Sequence, residues 1–357
     1  MTGPAARSEI LQITPYKGGE KLPGAHKLSS NENPLGCSPL AREAIIAAST
    51  ETHIYPDGGA TKLRQAIGAK YGIDSERIVC SAGSDEIFQL LGRAYLEPGD
   101  EIVQTEHAFL VYRLVAQQSG AIVVDAPETN LTANVDAMLE RVTGKTKMVF
   151  LANPNNPTGT YIPYEDVKRL HAGLREDDML VLDGAYAEYV RANDYASGIE
   201  LAGEAPNVLM TRTFSKIHGL GGMRLGWAFG PASVIDELNR TRGPFNVSSV
   251  ALDAGVAALG DDAFMAKSAD HNEAELARVS AALRALGCTV HPSVGNFCLV
   301  EFHDREQAVA ADTHLRANNV VVRDMKSYKL PEYLRISMGT AAQNDDLIAA
   351  LKAFMSS

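Results

Sequence analysis

The middle of the chain alternates short, wholly apolar runs with stretches whose apolar residues recur every three or four positions. The runs at 77–82, 101–105, 121–126, 147–153, 179–186, 207–214 and 226–230 read as strands. Helical spacing occupies 84–96, 109–120 and a segment near 164–174. The strand runs are apolar throughout and do not alternate with polar residues, as strands buried on both faces of a mostly parallel sheet should. Their alternation with helices predicts an open α/β sheet with helices on both sides.

The last hundred residues read differently. A helical stretch at 262–286 leads to CTVHP and NFCLVEF, a helix at 305–317, the runs VVVRDM (320–325) and YLRISMG (333–339), and a closing helix. This pattern predicts a smaller α+β domain. Gly and Pro interrupt the helical pattern in TRGPFNVSS (241–249), a break of the kind that separates units. The expected division is an N-terminal arm at 1–30, a large domain at 31–245 and a small domain at 246–357. The arm has little core-forming pattern and is expected to pack on the small domain or on a partner subunit.

A length of 357 residues agrees with two units, at about 150 residues per domain. Apolar residues make up 45% and charged residues 22%, enough for a large core and incompatible with wholesale disorder. The net charge of −11, from 33 Lys and Arg against 44 Asp and Glu, argues against a nucleic-acid or anionic-membrane surface. No apolar run approaches the roughly 18 residues of a membrane span, and the N-terminus lacks the apolar core of a signal peptide. Cys37, Cys80, Cys288 and Cys298 are scattered and show no zinc spacing. They are expected to be reduced cysteines of a cytoplasmic protein, with no metal bound.

Four segments carry candidate chemistry, each at the end of a predicted strand. In TFSKIHGLGGMRLGW (213–227), Thr213, Ser215 and Lys216 precede a Gly-rich loop, and Arg224 follows eight residues after the lysine. A lysine becomes nucleophilic when desolvation or a nearby cation lowers its pKa, and hydroxyls beside a guanidinium are phosphate donors. In LANPNNPTG (151–159), two prolines stiffen a turn that fixes Asn156 at the sheet edge where α/β proteins bind ligands. In VLDGAY (181–186), Asp183 closes an apolar strand and needs a cationic partner, with Tyr186 three residues on. In SAGSDEIF (81–88), Ser84 and Asp85 open a helix whose free N–H groups suit an anion. Phe109 opens the next helix and is placed to stack on an aromatic ring. Taken singly, these are also a loop lysine, an Asn-Pro turn, a cap aspartate, a helix cap and a core phenylalanine.

Together, the order GSD, NNPTG, DxxY and SK with an arginine eight residues later resembles the fold-type I enzymes that use pyridoxal 5′-phosphate. More specifically, it is similar to the class I/II aminotransferases, from about residue 29 to the C-terminus. The resemblance implies a large domain with a mostly parallel sheet between helices, plus a smaller α+β domain. It implies that Lys216 bonds to the cofactor aldehyde and that Asp183 keeps the pyridine nitrogen protonated. Asn156 and Tyr186 would bond the ring hydroxyl. Thr213, Ser215, Arg224 and the Ser84 and Asp85 amides would take the phosphate, and Phe109 would stack on the ring. Tyr55, in HIYPDGGATKLRQAI, matches a tyrosine that reaches the phosphate of the other subunit's cofactor, which implies a homodimer.

Within the family, ITPYKGGEKLPG, KLSSNENPLGCSP, VVVRDM and YLRISMGT resemble the branch acting on histidinol phosphate. That implies amino-group transfer to 2-oxoglutarate in histidine biosynthesis. Arg335 and Arg323 would grip the substrate phosphate, and Tyr16 and Asn156 would be further substrate contacts. The sequence departs from the family in DGAY, where DEAY is expected, and in EHAF (106–109), which lacks the proline common before the stacking aromatic. An aromatic amino acid aminotransferase, a phosphate-substrate decarboxylase of the same fold and a non-catalytic regulator are the competing readings.

Overall fold

The computed structural model describes residues 3–15, 18 and 22–356. The larger sheet contains β1 (Ile78–Ser81), β2 (Glu101–Thr105), β3 (Ile122–Ala126), β4 (Thr146–Ala152), β5 (Met179–Asp183), β6 (Val208–Thr213) and β7 (Gly226–Phe229). Their order is β1-β7-β6-β5-β4-β2-β3. β7 is antiparallel to both its neighbours and every other pair is parallel. All seven apolar runs thus become strands of one sheet.

Successive side chains of a strand point to opposite faces, and here both faces are covered. Val149, Leu180, Leu182 and Met210 face one core with Leu63, Ile67 and Trp227. Phe150, Val181 and Leu209 face the other, with Ile87, Phe88 and Tyr112. This double burial is why the runs are mostly apolar and do not alternate with polar residues. β3, at the sheet edge, is the exception: Ile122 is exposed.

A second sheet holds β8 (Thr289–Val290), β9 (Phe297–Glu301), β10 (Arg323–Asp324) and β11 (Tyr333–Ser337), in the order β10-β11-β9-β8 and antiparallel throughout. Val279, Leu283, Leu315, Leu347 and Leu351 of the helices Asp262–Ala285, Arg305–Ala317 and Ala341–Met355 pack with Leu334 and Ile336 in its own core. The second sheet thus has a core separate from the two that cover the large sheet.

Helix Ser249–Leu259 buries Ala251, Leu252, Ala254 and Ala258 in the core of the large sheet, against helices Pro39–Ala48 and Thr61–Tyr71. We therefore place the boundary between Leu259 and Asp262. The N-terminal segment contacts both units. The short helix Ser8–Leu11 lies against helix Leu110–Ser119, where Arg7 donates to the Gln118 carbonyl. His26–Lys27 pairs in parallel with Val320–Val321 of the small unit. Among the described residues, no helix is long and apolar enough to cross a membrane, and the four cysteines are free thiols.

Candidate active site

The strand directions bring the candidate segments to one edge. β2, β4, β5 and β6 run in parallel, and β1 points the same way because two antiparallel pairings separate it from β6. Their carboxyl ends therefore open on the same side, the usual ligand edge of such sheets. A cavity of about 240 Å³ lies there, lined by Ser84, Asp85, Phe109, Asn156, Asp183, Tyr186, Thr213, Ser215, Lys216 and Arg224. Ser30 and Glu32 close it from the segment entering the small unit.

Asp183 ends β5 with its carboxylate buried. Oδ2 accepts from the Tyr112 hydroxyl at 2.6 Å, and Oδ1 from the Ala185 amide at 3.1 Å. Burial pushes its pKa up to about 6, against the lowering effect of these hydrogen bonds. Burial and the carboxylate together hold the Tyr112 phenol well above its ordinary value, so it remains a donor. No cation pairs with Asp183 among the described residues.

The opposite end of the cavity is rich in donors. Gly83, at φ 82°, ends the β1 turn, and helix Ser84–Tyr95 begins without a side-chain cap. A Cβ on Gly83 would lie 2.4 Å from Nη2 of Arg224, so glycine lets the guanidinium approach the helix start. Arg224 Nη1 donates to Ser215 Oγ at 3.4 Å, and Nη2 lies 3.4 Å from Asp85 Oδ2. The Thr213 hydroxyl donates to Ser215 Oγ at 3.0 Å. Free helix amides, two hydroxyls and a guanidinium make an anion cradle.

Between these ends lies the amine. Lys216 Nζ donates to the Ser30 carbonyl at 3.3 Å and sits 5.5 Å from the centre of the Tyr186 ring. The Tyr186 hydroxyl accepts from Asn31 Nδ2 at 2.8 Å, and Asn31 Oδ1 accepts from the Ser337 hydroxyl at 2.8 Å. Tyr186 keeps its own O–H to donate. Arg335 donates through Nη1 to Asn156 Oδ1 and through Nη2 to the Ser29 carbonyl at 2.9 Å. That orientation of Asn156 leaves its NH₂ group to face the cavity. Arg323 lies directly opposite Arg335 across the β10–β11 pair.

Ten of the residues singled out in the sequence thus line one cavity. Arg335 joins it through Asn156, and Arg323 is its strand neighbour. Tyr55 is not brought in: it is 79% exposed, stacked on Phe245 with ring centroids 4.7 Å apart, and faces outward. Tyr16 lies outside the described residues. Sequence reasoning missed Tyr112 and Asn31 as site residues. Tyr112 reads in the sequence as one more apolar position of helix Leu110–Ser119. Asn31 had only its place in SSNENP. Gly184 occupies a tight spot, where a Cβ would meet Arg212 Cδ at 3.2 Å and the Thr211 carbonyl at 3.3 Å.

These features fit pyridoxal 5′-phosphate. A buried carboxylate without a cation suits a protonated ring nitrogen, the donor-rich corner suits a phosphate, and the amine between them suits an aldehyde. The fold and the cavity define an aminotransferase: the family model for aminotransferases of class I and II matches residues 24–351, and the chain belongs to that family.

The relatives narrow the family. The chain is 52% identical over 355 residues, 98% of each protein, to the histidinol-phosphate aminotransferase of Maricaulis maris. It is 52% identical over 361 residues, 99% of each, to the histidinol-phosphate aminotransferase of Paramagnetospirillum magneticum. Among solved structures, it matches histidinol-phosphate aminotransferase from Sinorhizobium meliloti in complex with pyridoxal-5′-phosphate. The TM-score is 0.93 at 26% identity, over 99% of this chain and 98% of that one.

Proposed function

We propose that this aminotransferase transfers the amino group of L-histidinol phosphate to 2-oxoglutarate, giving imidazole-acetol phosphate and L-glutamate, in cytoplasmic histidine biosynthesis. The observation that carries the substrate is the arginine pair. Like charges directly opposite on antiparallel strands destabilise the pair, and Arg335 is buried with its Nε unpartnered among the described residues. A phosphate held between Arg323 and Arg335 relieves both costs, and a guanidinium fork fits a phosphate well. The curated relatives acting on this substrate support the same reading.

Pyridoxal phosphate, when bound, supplies an electron sink for the bond broken at the substrate carbon. Lys216 would hold the cofactor aldehyde, and its amine would move the substrate proton. Asp183 keeps the proton on the ring nitrogen, and Tyr112 fixes that carboxylate from behind. Asn156 and Tyr186 donate to the ring hydroxyl. The Ser84 and Asp85 amides, Thr213, Ser215 and Arg224 hold the cofactor phosphate, and Phe109 covers the ring. The working unit is a homodimer in which Tyr55 reaches the partner's cofactor phosphate, in keeping with its outward position beside exposed Ile54 and Phe245.

The test is kcat/KM for L-histidinol phosphate and L-phenylalanine in wild type and Arg323→Ala. Truncating one member of a desolvated charge contact costs about 2–5 kcal/mol, so the variant should lose roughly thirty- to several-thousandfold on histidinol phosphate and much less on phenylalanine. Equal losses, or none, would sink the phosphate role and favour an aromatic aminotransferase.

A further inference from the structure

The EHAF segment lacks the proline that commonly stiffens the approach to the stacking aromatic, and the structure shows what stands in its place. Glu128, just beyond β3, has a side chain only 3% exposed and paired with a His107 side chain 11% exposed. Its Oε1 accepts from the His107 backbone N–H at 3.1 Å, and its Oε2 from the His107 ring Nδ1 at 2.8 Å. Both carboxylate oxygens are thus used on one residue of the turn. The His107 carbonyl in turn accepts from Asn155 Nδ2 at 3.1 Å. Asn155 is itself buried, and its second amide proton goes to Thr158 Oγ1 at 3.0 Å.

Glu128, His107 and Asn155 do not line the cavity themselves, yet near neighbours of His107 and Asn155 in the chain do. Phe109 is two residues past His107. Pro154 and Asn156 flank Asn155, and Asn156 is the acceptor of Arg335. A buried carboxylate is costly unless paired and hydrogen-bonded, and an ordinary surface turn requires none. A proline restrains the backbone covalently. Here a buried carboxylate, hydrogen-bonded to both the backbone and the ring of His107, restrains it from outside, and the His107 carbonyl reaches a second loop as well.

We propose that Glu128 and His107 are positioning residues: together they fix the Phe109 wall of the cavity and, through Asn155, the Asn156 amide that faces the cofactor ring. This rests on the reading of the cavity as a pyridoxal phosphate site. At metal sites, groups that brace the ligands from outside contribute about ten- to a hundredfold in affinity, and the same scale is expected here.

The experiment is equilibrium binding of pyridoxal phosphate, with the visible circular dichroism of the bound cofactor. It uses wild type, Glu128→Gln, Glu128→Ala, His107→Ala and the His107→Ala, Glu128→Ala double variant. The Kd should rise about ten- to a hundredfold in either alanine variant. The double variant should be no worse than the singles, because one coupled device has been removed twice. Glu128→Gln, with the same shape and one acceptor kept, should fall between, and it covers the case in which an alanine variant does not fold. The dichroic band should shrink in step with the Kd. Unchanged affinity and dichroism in the folded variants overturn the proposal, as do additive losses. Wild-type protein that does not bind the cofactor overturns the reading of the cavity itself.

Discussion

Replacing Asp183 by asparagine should stabilise the cofactor-free protein at neutral pH and weaken it once pyridoxal phosphate is bound. Without the cofactor, burial holds the carboxyl pKa near 6, whereas an unfolded chain has it near 3.9. A raised carboxyl pKa means that the folded protein holds a proton the unfolded chain releases. Stability therefore falls as pH rises from about 4 to about 6, and the cost is complete above that window. A difference of about two units corresponds to about 3 kcal/mol at pH 8 and about half that at pH 5. Asparagine does not titrate. Its amide must still find an acceptor where Tyr112 now donates, so the gain expected at pH 8 is about 1–3 kcal/mol. The measurement is urea unfolding of dialysed wild type and Asp183→Asn at pH 8 and pH 5. An increment of the same size at both pH values would refute the electrostatic argument, as would a wild type more stable than the variant at pH 8.

Adding the cofactor should reverse the order. The carboxylate then faces a ring cation and its burial is compensated, so binding stabilises the wild type by more than the variant. Turnover of the variant should fall by several kcal/mol of barrier, about tenfold for each 1.4 kcal/mol. Near-normal turnover would show that Asp183 does not hold the ring proton.

Two further outcomes test the remaining assignments. Borohydride reduction of the loaded enzyme followed by peptide mapping should place the cofactor on Lys216, and Lys216→Ala should lose both the label and turnover; a label on another lysine refutes the assignment. Tyr55→Phe should weaken cofactor binding by about 1–2 kcal/mol through loss of one phosphate donor, and heterodimers of a Tyr55→Phe chain with a Lys216→Ala chain should recover one intact site only if the partner's tyrosine serves each site. Absence of any recovered activity in heterodimers shown to form would mean a site built within one chain, and unchanged affinity in Tyr55→Phe would remove Tyr55 from the phosphate site.

The large sheet was legible because burial on both faces writes itself into every position of a strand. The seven apolar runs are the seven strands, with ends shifted by a few residues at most. β5 stops at Asp183 and not at 186 because Gly184 begins the turn into the short helix Ala187–Tyr189. The domain boundary was harder. Gly and Pro at 241–249 mark a real interruption between two helices, but the helix that follows has small residues, Ala251, Ala254 and Ala258, which give no sign of which core they enter. Only the packing against Pro39–Ala48, two hundred residues away, decides it.

The site divides along the same line. Residues set by the end of their own strand, such as Asp183, Asn156 and Lys216, were readable because a polar group after an apolar run stands out. Residues that act from elsewhere were not. Tyr112 looks like one more apolar position of its helix, yet its hydroxyl is what lets Asp183 remain buried. Asn31 adopts φ 55° and bonds Tyr186 and Ser337 at once, a junction of three distant segments that no local pattern encodes. Glu128 is the same case on the other wall: in the sequence it is a loop glutamate, in the fold a buried one. The catalytic groups are therefore marked by where strands end, while the groups that hold them in place are marked only by tertiary contact. That asymmetry is also why substitutions in the bracing residues should alter cofactor affinity while leaving every reacting group in place.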